Sequence, residues 1–146
     1  MREDPWKLAD VAVATDCIDV PSDNRYTLLH CDFNTGMVYL RSRPVVIEFV
    51  ERWRETVANA KEKRIRDQAA FNMMTKVKRP EPLKVDGKTV NRLFEVTNGG
   101  DGRMKLGVLP LSRYLNGHTF FVQHVHTLPE ALKPLSVHMT YQFAEG

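Results

Sequence analysis

The sequence predicts an α/β domain, a three-layer arrangement of sheet and helices with its site at strand ends, and three observations carry that prediction. Two short, continuous apolar runs, one ending at Thr15 and one at Leu40, have the character of strands covered on both faces. Beyond Ser42 the apolar spacing changes to three and four residues, the period of amphipathic helices. From Thr89 onward the text returns to short strand-like segments divided by turn residues.

Along the chain, "ADVAVAT" (Ala9 to Thr15) reads as a buried strand that gives way to the polar "DCIDVPSDN", which puts Asp16 at the strand's C-terminal end. "GMVYL" (Gly36 to Leu40) is the second strand, and Asn34-Thr35-Gly36 at its mouth reads as a turn. Ser42 can cap a helix opened by Pro44, with Val46, Phe49, Val50, Trp53 and Val57 on one face and Glu48, Glu51, Arg52, Glu55 and Lys61 toward water. "RDQAAFNMMTKV" is a shorter helix that Asp67 can cap, with Ala70, Phe71 and Met74 apolar. "KRPEPLKVDGK" (Lys78 to Lys88) reads as a surface connection rich in Pro, Gly and charge. "TVNRLFEV" and "MKLGVLPL" are strands around the turn "TNGGDGR", and "HTFFVQHVH" is a further strand-like segment. "TLPEALKPL" is at most a turn or two of helix, and "LSVHMTYQF" closes with an alternating strand pattern.

Composition bounds the function. With 146 residues, 42% hydrophobic and 27% charged, the chain suits one globular domain or a piece of one. A net charge of +3, with basic residues scattered and not collected beside stacking aromatics, disfavours nucleic acid as a partner. Cys17 and Cys31 have neither CxxC spacing nor the density of a disulfide scaffold; they could pair, but two free thiols are the expectation. "MREDPWKLAD" has no apolar run of the kind a signal peptide or anchor needs, so no membrane segment is expected in this chain, and both ends look cut.

Among the polar clusters, "NGGDGR" sits between strands and matches no phosphate loop, and His124 with His126 would share a strand face but lack a third metal ligand. Asp16, Asn34-Thr35-Gly36, Asp67-Gln68 and His138 are different, because all fall at predicted element ends, where an α/β sheet builds its ligand crevice. Taken singly each has a plain structural reading: Asp67 as a cap, Asn34 as a turn residue, His138 as a core histidine.

Together, "FNTGMVYLR", "RDQAAFN", "LGVLPLSRYLNGHTFFVQ" and "SVHMTYQF" resemble the nucleotide-diphospho-sugar transferase domain of glycosyltransferase family 77, most closely its extensin arabinosyltransferase branch, from about Asp4 to the last residue. The resemblance implies the C-terminal portion of a GT-A-type, Rossmann-like domain spanning residues 1–146 and truncated at both ends. It implies a retaining transferase that moves a pentose, L-arabinofuranose, from a UDP-sugar to arabinosides on hydroxyproline-rich cell-wall glycoprotein. UDP-xylose or UDP-galactose is the other donor class, and a catalytically silent binding module is the alternative of a different kind.

In that family pattern Asp67 and Gln68 are the catalytic candidates, Asn34, Thr35 and Gly36 bind the donor, and Asp16, Gly117 and His118 meet substrate. His138 corresponds to a ligand of Mn²⁺ or Mg²⁺, whose Asp-x-Asp partner lies in the family just before text like "REDPW". Without that motif the isolated chain is expected to be inactive. The family also implies a Golgi lumen location through an anchor upstream. A domain lacking its first strands is expected to leave a sheet edge open and to associate.

Overall fold

Val11–Thr15 forms β1, buried throughout, at the heart of a computed structural model that describes residues 7–21, 23, 31–60, 65–75, 81–129 and 131–139. On one side β1 pairs antiparallel with β2 (Phe33–Leu40), and on the other it pairs parallel with β5 (Arg103–Val108). β4 (Lys88–Thr97) runs antiparallel to β5 and to β3 (Pro82–Val85), which gives a mixed five-stranded sheet of order β2-β1-β5-β4-β3. The helices α1 (Pro44–Asn59) and α2 (Asp67–Thr75) follow β2, so the class is α/β as the sequence predicts. A second, parallel pair, β6 (Tyr114–Asn116) with β7 (Ser136–His138), sets Asn116 opposite His138.

Side-chain alternation decides how the layers meet. Val11 and Val13, Phe94 and Val96, and Met104, Leu106 and Val108 join Phe33, Val46, Phe49 and Phe71 in the main core, so both helices lie on one face of the sheet. Phe33, Phe49 and Trp53 each pack against Phe71 edge-on, with ring centroids 5.1 to 5.9 Å apart, a geometry in which positive ring edges meet negative faces. The intervening residues Ala12 and Leu93 face the other way, into a smaller cluster with Ala9 and Leu109. Glu48 of α1 accepts from Arg52 at 2.8 Å and from Asn98 at 2.9 Å, which fastens the β4–β5 turn to the helix. The Arg52 guanidinium, with Asn98 adding to it, holds the Glu48 carboxyl below the usual range.

Asn34-Thr35-Gly36 lies inside β2 and not in a turn before it. Val13 pairs with Val38, yet its neighbour Ala14 pairs with Asn34, so Thr35, Gly36 and Met37 are extra residues pushed out of the ladder as a bulge. Arg43, not Ser42, is the cap residue of α1; it is extended (φ −138°, ψ 150°), makes no capping bond, and reaches Asp10 at 2.6 Å. Asp67 is the first residue of α2 and not its cap, because the Ala70 N–H already bonds the Arg66 carbonyl at 3.0 Å.

The Lys78 to Lys88 connection proves to hold a hairpin. Asp86 and Gly87 both have positive φ (49° and 76°), the signature of the two-residue turn whose twist matches paired strands. "HTFFVQHVH" is helical rather than extended: His118–Val122 is a π-turn closed by the Gln123 N–H on the His118 carbonyl, and Val125–Thr127 is a 3-10 turn. Asn116 starts it, accepting the Thr119 N–H at 3.0 Å, a capping signal that the aromatic run obscures. Lys61, residues 78–80 and residues 140–143 lie outside the described residues.

Cys17 and Cys31 form a disulfide, correcting the expectation of free thiols, with Cα atoms 5.2 Å apart. The bridge ties the residue after Asp16 to the segment just before β2. For a loop of this length, reduction is expected to cost about 3 kcal/mol through chain entropy regained by the unfolded state. Urea midpoints with and without reductant check this; coincident curves would show that the bridge contributes nothing.

Asp23, fully buried, is a second fastening. Its carboxylate accepts from Thr15 Oγ1 at 2.9 Å, from Arg92 Nη2 at 2.5 Å and from the Leu111 N–H at 2.9 Å, so one charge holds β1, β4 and the segment after β5 together.

Candidate functional site

Where β1 ends, Asp16 turns its carboxylate toward the bulge of β2 and the first turn of α2. Its Oδ1 accepts from Asn34 Nδ2 at 2.5 Å and its Oδ2 from Gln68 Nε2 at 2.5 Å. Asn34 Oδ1 in turn accepts the Gly36 N–H at 2.8 Å, within the bulge itself. Thr35, thrown outward by the same bulge, donates its hydroxyl to Asp67 Oδ2 at 2.9 Å, and Trp53 donates its indole N–H to the Asp67 carbonyl at 2.8 Å. Set in the bulge and off the ladder, the Gly36 N–H is satisfied by the Asn34 side chain.

Asn72 holds this arrangement from below. One helical turn after Gln68 and buried, it accepts the Phe33 N–H at 2.8 Å and donates to the Phe33 carbonyl at 3.0 Å, as a neighbouring strand would. The same amide donates to the Gln68 carbonyl at 2.9 Å. Sequence reasoning passed over Asn72, although "RDQAAFN" placed it four residues from Gln68 on the face that meets the sheet. Asp32 and Arg66 were passed over too; with Asp67, Gln68, Ala69 and Asn72 they line a cleft of about 500 Å³.

His138 arrives from β7. Its partner strand is anchored by Asn116, whose Nδ2 donates to the Cys17 carbonyl at 2.8 Å, next to Asp16. A Cβ on Gly36 would fall directly above His138 Nε2 and equally close to Cδ2 and Cε1, so the face of the imidazole lies on the glycine's α-carbon. Glycine is required here by the ring and not by backbone conformation. Gly36→Ala is therefore expected to push His138 off the bulge, read as loss of nuclear Overhauser contacts between the imidazole protons and residue 36. Retained contacts would show that the strand moves instead.

Asp16, Asn34, Thr35, Gly36, Asp67, Gln68 and His138 thus meet, although they are spread over most of the chain. Gly117 and His118 directly follow Asn116 at the end of β6; they lie beside this centre, tied to it through Asn116. His124 and His126 do not share a strand face: His126 stacks on Phe120 with centroids 4.1 Å apart, and His124 takes a left-handed backbone. Among the described residues no three His, Cys, Asp or Glu side chains gather as a metal set, so His138 is a single donor and a cation held here would take its other ligands from beyond these side chains.

This is a polar centre of amides, carboxylates and one imidazole at strand ends, suited to a ligand rich in hydroxyls. Residues 2–146 match the family model described as nucleotide-diphospho-sugar transferase. The chain belongs to that family. As a nucleotide-diphospho-sugar transferase it is 31% identical over 112 residues to arabinosyltransferase XEG113 of Arabidopsis thaliana, a match covering 77% of this chain and 16% of that relative. The transferase chain therefore spans a small part of the curated relative's length. No solved structure matches it. Among its described residues no helix is long and apolar enough to cross a membrane.

Proposed function

We propose that the chain carries part of the donor and reaction centre of a configuration-retaining glycosyltransferase. Its donor is UDP-L-arabinofuranose, and its acceptors are arabinosides on hydroxyproline-rich cell-wall glycoprotein, with the Golgi lumen as its compartment. The observation that supports this best is the joining of Asp16, Asn34, Asp67, Gln68 and His138 from separate elements within a chain of this family. Likeness to an arabinosyltransferase favours UDP-arabinose over UDP-xylose or UDP-galactose.

In this reading Asp67 takes donor-sugar hydroxyls in charge-assisted hydrogen bonds, with Thr35 holding its second side. Asn34 and Gly36 form the wall behind the donor. Gln68 sets its carbonyl oxygen against the reacting face, where front-side transfer builds positive charge on the anomeric carbon. Gly117 and His118 line the substrate approach, and Asp16 borders the acceptor side. A divalent Mn²⁺ or Mg²⁺, when bound, would neutralise the leaving diphosphate; His138 would give it one ligand.

The second reading is a binding module without turnover, in which the same centre holds a sugar nucleotide that it does not consume. Thermal unfolding separates the readings. UDP-arabinose with Mn²⁺ at about a hundred times its Kd should stabilise the chain by about 2.7 kcal/mol, because it binds only the folded state. His138→Ala should abolish the part of the shift that needs Mn²⁺. A shift without sugar transfer would favour the module, and no shift with any UDP-sugar would sink both.

A further inference from the structure

We propose that Asp16 is a positioning residue that fixes which end of the Gln68 side-chain amide faces the reacting sugar. The inference rests on the sugar-transfer reading of this centre and deepens it. An amide side chain can turn over and exchange its oxygen for its nitrogen with little change of shape, so something must choose. Here the choice begins at a group with no ambiguity. The Gly36 backbone N–H can only donate, and it bonds Asn34 Oδ1, so the nitrogen of Asn34 is the end that meets Asp16.

A carboxylate can only accept. With Asp16 Oδ1 taken by Asn34, Oδ2 stands 2.5 Å from the end of Gln68, a separation that a nitrogen donor satisfies and a second oxygen would make repulsive. Gln68 Nε2 is therefore held on the Asp16 side and its Oε1 is turned away. Asn72 meanwhile grips the Phe33 N–H and carbonyl of β2, so the helix cannot rotate to undo the choice. A preset carbonyl dipole is what a developing cation needs, since no reorientation is left for the moment of reaction. The polarity thus runs from a backbone N–H in the β2 bulge, through Asn34 and Asp16, to Gln68.

The test inverts one link. In Asp16→Asn the new side chain still accepts from Asn34, but offers an N–H to residue 68, so Gln68 must turn its Oε1 toward position 16 and its nitrogen toward the sugar. In the double variant Asp16→Asn with Gln68→Glu, that same N–H meets a carboxylate oxygen and leaves the other oxygen facing the sugar. In the ¹⁵N-labelled full chain, the Gln68 side-chain amide protons should be shifted and protected in the wild type and should move to free-amide values in Asp16→Asn.

With UDP-arabinose, kcat should fall about a hundredfold in Asp16→Asn while the donor KM stays within about twofold, and the double variant should regain about tenfold. Unchanged Gln68 signals in Asp16→Asn would overturn the proposal, and so would a double variant no faster than the single one. Should Asp16→Asn not fold, Gln68→Glu alone decides: facing the Asp16 carboxylate it must lose activity, and full activity overturns the idea. A wild type that turns over no UDP-sugar overturns the transfer reading and the catalytic part with it, while the amide signals still decide the orientation by themselves.

Discussion

In the sugar transfer proposed above, Gln68→Ala and Asp67→Ala should each lower the rate by about a hundredfold or more while the chain stays folded. Both side chains stand at the mouth of the cleft, half-buried or exposed, so truncation leaves no void in the core. The two losses differ in kind. Without Asp67 the Thr35 hydroxyl loses its acceptor and the donor sugar a charged contact, so donor affinity should fall along with rate. Without Gln68 the ground state keeps its contacts and the dipole at the reacting carbon is gone, so the fall should be mainly in kcat. Steady-state kinetics with UDP-arabinose, with circular dichroism as the check on folding, decides this. Near-normal rates in both variants would remove these residues from the site.

Asp23→Ala should cost about 3–5 kcal/mol, the range for breaking a buried ion pair by removing one partner. Asp23 is fully buried, and its loss leaves Arg92, Thr15 Oγ1 and the Leu111 N–H without the acceptor they share. Domains of this size have a stability of about 5–15 kcal/mol, so this one change takes a large share of it. Urea denaturation at neutral pH measures the effect. Asp23→Asn, whose oxygen keeps the Leu111 N–H and whose N–H can donate to the Thr15 hydroxyl in a reversed bond, loses the charge and should fall between wild type and Asp23→Ala; a midpoint unchanged in Asp23→Ala would remove the carboxylate from the stability of the fold.

How far the sequence could be read depended on how local each cause is. β1 and α1 were legible because burial imposes its own spacing on the text: continuous for a covered strand, three and four residues for a helix with one face on the core. The candidate centre was legible in outline because Asp16, Asn34, Asp67 and His138 are polar groups at element ends that no core requires. "HTFFVQHVH" misled because a short aromatic run suits a strand and a helical turn equally, and the arbiter was the Asn116 cap just before it. The hairpin at Asp86-Gly87 carried a turn signal in plain view, hidden among prolines and charges.

The sequence alone determined the α/β class, the family, the amphipathic helix and the set of polar residues from which a site could be built, since these follow from patterns a few residues long. Tertiary structure decided the rest: the Cys17–Cys31 bridge, the buried Asp23, the three-residue bulge in which the Gly36 N–H meets Asn34, and the His138 ring laid on Gly36. Each is a meeting of groups far apart along the chain, and hydrogen-bond polarity, ring stacking and disulfide geometry act only at contact distance. No spacing along the text encodes them until the sheet has set its register.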